Sequence, residues 1–150
     1  MKAFKKLMAA ALVCVMALSM LTGCGVADKK TKKHMVEALN NQAKEDKSIT
    51  WTYNETDDMD KIAESAMKKA QDAKKISGAK VVDTYAMYYV KLTDTWNSTD
   101  DLKSKAKDAH AQFVAANPVV KDSKVAVGVC IDKVEKDNYL IVVVEKAAKK

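Results

Sequence analysis

Two runs near the C-terminus constrain this chain most: residues 124–131 (KVAVGVCI) and 138–144 (NYLIVVV) are apolar at successive positions, not at alternate ones. Neighbouring side chains on a strand point to opposite faces, so strands of this kind are central and covered on both sides. The charged segment 132–137 joins them. The rest of the chain must therefore supply two covering layers.

Helical periodicity supplies them. Val36, Leu39 and Ala43 predict a modest helix over about 31–45. Met59, Ile62, Ala63, Ala66, Met67, Ala70 and Ala73 form the clearest amphipathic stripe, with Thr56 and Asp57 as N-cap candidates and Gly78 placed to follow its end. Asp57, Asp58 and Asp60 near its start, and Lys74 and Lys75 near its finish, complement the macrodipole. Ser98 and Asp101 resemble a capping box for a third helix with Leu102, Ala106, Ala109 and Phe113 inside, stopped at Asn117-Pro118. Residues 48–53 (SITWTY) read as a short strand or an extended link. Residues 79–92 read as one long strand or a hairpin turning at Asp83-Thr84. The order suits an α/β (α+β) domain, with helices packed on a small, mostly antiparallel sheet.

The segment before this domain reads as an address. Lys2, Lys5 and Lys6 precede an uncharged apolar run over 7–20, and Leu21-Thr22-Gly23-Cys24 closes it. The run is shorter than the ~20 residues a spanning helix needs. Leu-x-Gly-Cys resembles the lipobox of bacterial lipoprotein precursors. That resemblance implies a signal peptide over 1–23, cleavage before Cys24 and a diacylglycerol thioether, bearing palmitate-type chains, on Cys24 Sγ. Location is then the extracytoplasmic face of the cell membrane. Each buried methylene contributes ~0.8 kcal/mol, so two or more chains hold durably. Residues 24–33 (CGVADKKTKK) then read as a lysine-rich lipidated tether with too little apolar content to fold, and 34–150 as a single extracytoplasmic domain.

Charge excludes one class of partner. The three leader lysines account for half of the net +6, and every basic residue is lysine. Arginine is the side chain suited to bidentate phosphate and base-edge contacts, so nucleic acid is not an expected partner. The cysteines are equally restrictive. Cys14 lies in the leader and Cys24 is consumed by lipid, which leaves Cys130 in an apolar run as a buried, inert thiol.

The catalytic inventory is thin. No Gly-rich phosphate cradle, GxSxG or HExxH occurs, so no cofactor is expected. His110, next to Ala109 of the inner stripe, is the one cleft candidate. No second ligand stands nearby at metal-binding spacing, and a half-buried or surface imidazole is the plainer reading. Trp51, Trp96, Tyr85, Tyr88 and Tyr89 either line a ligand groove or, more plainly, pack in the core and across strands. Asn54-Glu-Thr and Asn97-Ser-Thr match a glycosylation sequon that means little behind a bacterial lipobox.

Leu39-Asn40-Asn41, Ile49-Thr50-Trp51, the 59–73 helix, the strand through Gly128 and the 139–144 strand together resemble the CAP (SCP-like) domain of secreted bacterial proteins. That resemblance implies an α–β–α sandwich, with His110 near the second cleft histidine. Ile76-Ser77-Gly78-Ala79 stands where the family has its first Ser-His, and Gly-Glu-Asn is missing, so the implied cleft is degenerate. Residues 63–129 also resemble small spore-associated lipoproteins, through Ala79-Lys80-Val81, Asn117-Pro118 and Val125-Ala126-Val127. The expectation is a monomeric, lipid-anchored, non-catalytic domain that binds an envelope ligand or protein. The alternatives are a CAP-like hydrolase or metal-dependent module, or a structural envelope or spore lipoprotein.

Overall fold

A computed structural model describes residues 26–92 and 102–147. Cys24 with its lipobox, Trp96, the Asn97 sequon and the Ser98–Asp101 capping box lie outside the described residues. The first helix, α1 (Val26–Glu45), places Met35, Ala38, Leu39, Gln42 and Ala43 on its buried face. It begins about a turn earlier than the sequence predicts, so the described part of the lysine-rich segment is helical rather than extended. Alanine and lysine favour helix intrinsically, and Lys32 docks against carboxylates of the next two elements.

Asp46 turns the chain out of α1. Its Oδ1 accepts the Ser48 backbone N–H at 2.9 Å and the Ser48 hydroxyl at 2.6 Å, a local turn that ends helical pairing. The chain then extends into β1 (Thr52–Glu55), so the strand alternative holds for the second half of the 48–53 run. Helix α2 (Asp57–Ala73) follows at once, with the Thr56 hydroxyl accepting the Met59 N–H at 3.2 Å. Its cap at the other end is Lys74 in the left-handed region (φ 58°), not Gly78, which closes a 3-10 turn at Ile76–Gly78.

Residues 79–92 form neither the long strand nor the hairpin. The chain turns at Asp83-Thr84, and β2 is Tyr85–Lys91 alone. Helix α3 (Lys103–Ala115) stops before Asn117 (φ 59°) and Pro118. Strands β3 (Lys124–Val134) and β4 (Asp137–Glu145) extend beyond their apolar runs to a tight turn at Glu135-Lys136, with Glu135 at φ 59°.

The sheet order is β1-β3-β4-β2, parallel between β1 and β3 and antiparallel at the other two pairings. The two apolar strands are thus the central ones. Val125, Val127, Val129, Ile131, Leu140, Val142 and Val144 face α1 and α3. Cys130, Val134, Ile141 and Val143 face α2. Three helices on a four-stranded mixed sheet make a layered α/β fold with a core on each face.

Two contacts fix how the outer elements sit. A Cβ on Gly128 would lie 1.9 Å from the Met59 carbonyl oxygen, so α2 crosses β3 backbone against backbone. At the sheet's β1 edge, the Asn40 carboxamide accepts the Tyr53 N–H at 2.7 Å and donates to the Tyr53 carbonyl at 3.1 Å. A side chain of α1 there takes the place of a neighbouring strand.

Candidate functional site

His110 is the natural starting point, because it was the sequence's only cleft candidate. Its position on the inner face of α3 turns the ring toward α1 and β1, and its side chain is 8% exposed. Nδ1 lies 2.8 Å from the Tyr53 hydroxyl, and Nε2 lies 2.9 Å from Asp46 Oδ2. Trp51 packs against both rings, with centroids 5.1 Å from Tyr53 and 5.9 Å from His110. The turn after α1, the edge strand and α3 are thereby joined through one imidazole.

Electrostatics assigns the roles. The Ser48 hydroxyl and N–H, then the bond to His110, hold the Asp46 carboxyl down at about 2, so it is a carboxylate that only accepts. Burial pushes the Tyr53 phenol well above its usual range, with the Asp46 charge adding to it, so the phenol keeps its proton. Hydrogen bonding between them then has Nε2–H donating to Asp46 and Nδ1 accepting from Tyr53. Carboxylate, imidazole and phenol in this order can pass a proton along the chain. The terminal oxygen, however, is buried among Trp51, His110 and Phe113 and is a poor nucleophile. Beside the ring lies a shallow, mostly apolar depression of about 480 Å3, lined by Gln42, Asp46, Lys107, His110, Ala111 and Val114 among others.

A second polar cluster escaped the sequence. Glu55 ends β1, Asp60 lies in the first turn of α2, and the Lys32 ammonium on α1 is 3.7 Å from Glu55 Oε2 and 3.6 Å from Asp60 Oδ2. Asp60 Oδ1 also accepts the Val129 N–H at 2.9 Å. Glu55 pairs with Val127 where β1 ends, so the Asp60 carboxylate continues the pairing of β3 where the strand stops. Burial first, then the neighbouring Asp60, push the Glu55 carboxyl up to about 7 against the opposing pull of Lys32. Near neutrality Glu55 is therefore part-protonated beside the Asp60 carboxyl.

The remaining candidates do not converge. Tyr85, Tyr88 and Tyr89 lie on β2, at the opposite edge of the sheet from the β1 edge that Trp51 precedes. Cys130 is buried beneath α2 in the apolar cluster. His34, the other histidine of the chain, lies on α1, 3.9 Å from Glu37. Asp57 and Asp58 sit in the first turn of α2, as helix-start acids. Among the described residues, no group of three or more His, Cys, Asp or Glu side chains is placed to hold a metal ion. No helix of the described residues is long and apolar enough to cross a membrane.

Comparison with family models, curated proteins and solved structures finds no match to this chain. Its function must be argued from its own residues.

Proposed function

We propose that this chain is a lipid-anchored extracytoplasmic domain of the bacterial cell membrane that works by binding a ligand or partner, without catalysis. The observation that carries the non-catalytic part is the occupancy of His110: Tyr53 and Asp46 take both ring nitrogens, so the imidazole braces three elements. The anchor rests on the basic start, the apolar run and Cys24.

Two measurements test this reading. Metabolic labelling with an alkyne fatty acid should mark the full chain, and Cys24→Ala should abolish the label and release the domain from membranes. An unlabelled native chain sinks the anchor. Carbethoxylation followed by mass spectrometry should modify His34 well before His110. Equal rates would instead favour a CAP-like module with an open cleft, the alternative that the 2.9 Å contact of His110 with Asp46 keeps in view.

A further inference from the structure

Strands β3 and β4 pair only as far as Val127 and Val144. Past that point the segment after α3 enters the gap between them. The Val119 N–H donates to the Glu145 carbonyl at 2.8 Å, and Lys121 and Lys124 exchange backbone hydrogen bonds of 2.8 and 3.0 Å. A hollow of about 410 Å3 opens there, within the usual size of small-ligand sites. Its floor is Ala126, which borders the α2 cluster, and one wall is Val119. Asn54 of β1, Lys121, Asp122, Lys124 and Glu145 supply the polar lining. Among the described residues, none of these five side chains makes a hydrogen bond or ion pair, although both signs of charge share the hollow. The turn that joins the two lysines is Asp122-Ser123, left-handed at both positions (φ 55° and 61°), where Asn-Gly is the ordinary choice. Two non-glycine residues held in this way are costly, and the turn sets Lys121 directly opposite Lys124, where like charges repel. No carboxylate of the described residues stands at ion-pair distance from either ammonium to offset that repulsion. An anion seated between them would.

We propose that this hollow binds a short peptide with free ends, of dipeptide size, with its carboxylate between Lys121 and Lys124, its ammonium at Glu145 and its peptide group at the Asn54 carboxamide. The chemistry of the walls dictates these places. Lysine only donates and a carboxylate only accepts, so the lysine pair and Glu145 take ligand groups of opposite charge. A carboxamide both donates and accepts, as a peptide group requires of its partner. Asp122, exposed on the turn between the lysines, favours a singly charged carboxylate there over a multiply charged anion such as phosphate. Ala126 and Val119 leave an apolar floor and wall for small side chains. The site deepens the binding reading proposed above and rests on it. It lies across the sheet from His110, whose helix packs on the other face.

Calorimetric titration of the full chain, purified from membranes in detergent, with L-alanyl-L-alanine tests it. The isotherm should saturate, and inorganic phosphate should bind about tenfold more weakly or less. Acetylating the dipeptide's amine should weaken binding to the native chain about tenfold, the loss expected for one charge-assisted contact. Glu145→Gln should weaken the free dipeptide by a similar factor and bind the acetylated form as the native chain does, which also shows that the variant folds. Amidating the dipeptide's carboxyl should likewise cost the native chain affinity and leave the Lys121→Gln, Lys124→Gln double variant unaffected. Lys68→Gln on α2 should bind as the native chain does. A chain that takes the fatty label at Cys24 yet shows no saturable dipeptide binding overturns this site and leaves the anchor standing. Phosphate binding as tightly as the dipeptide also overturns it, as does Glu145→Gln losing equal affinity for the free and acetylated forms.

Discussion

The Asn40 carboxamide holds both outward backbone groups of Tyr53, 13 residues away, at 2.7 and 3.1 Å. An amide is the side chain that can accept and donate at once in this geometry, as a strand neighbour would. Asn40→Ala should cost about 2 kcal/mol in urea unfolding, since two part-buried bonds go together. Asn40→Asp should not rescue it, because a carboxylate meets the Tyr53 carbonyl with no proton to give. The same substitutions open the β1 edge, and light scattering should report more aggregation than for the native chain.

Gly128→Ala should be severely destabilising for a single added methyl. Its Cβ meets the backbone of Met59 and Asp60, which cannot swing aside as a side chain would. Overpacking commonly costs about 1–3 kcal/mol, and a backbone clash belongs at or above the top of that range. Circular dichroism melts should show a large fall in Tm or no cooperative transition.

Glu55 makes a signed pH prediction. Its folded value of about 7 lies above its ordinary 4.5, so the native state holds a proton that the unfolded chain gives up. Stability should fall as pH rises from about 4.5 to about 7 and level off above. Glu55→Gln keeps a hydrogen-bonding head without the charge and should flatten that slope. At pH 8 it should match or exceed the native chain by about 1 kcal/mol, a figure discounted for the solvent that reaches this group.

The His110 brace predicts effects of graded size. Tyr53→Phe removes the donor to Nδ1 and should cost about 1–2 kcal/mol with little change in fold. His110→Ala also empties the space against Trp51 and should cost more, with a loss of near-ultraviolet ellipticity from that ring. Asp46, held at about 2 against an ordinary 3.8, contributes stability above pH 3.8 that is lost as pH falls toward 2. Asp46→Asn should flatten this acid limb.

Much of the fold was legible. The Met59–Ala70 stripe, the Thr56 cap and the stop at Asn117-Pro118 stand where periodicity and local chemistry predict them. Other local predictions failed for local reasons. The α2 C-cap fell to Lys74 because the helix ended early enough for a non-glycine residue to take the left-handed position. The start of α1 moved to Val26 because the basic segment lacks an apolar stripe yet has good helix formers and a docked Lys32.

The candidate site was mostly illegible. His110 was marked by its place beside an apolar stripe, but its partners come from residues 57 and 64 positions away. Asp46 carried no signal in the sequence, and Glu55, Asp60 and Lys32 have no shared spacing.

What the sequence determined by itself is what repeats along the chain: three helical stripes, and two strands apolar on both faces that had to lie inside. Period and apolarity are properties of neighbours, and burial follows from them without knowing which element does the covering. Tertiary structure alone decided that β1 runs parallel to β3, that Asn40 guards the β1 edge, and that burial and Asp60 together hold the Glu55 carboxyl up. Hydrogen bonds and charges act over a few ångströms between groups far apart in sequence, so they leave no periodic trace until folding brings them together.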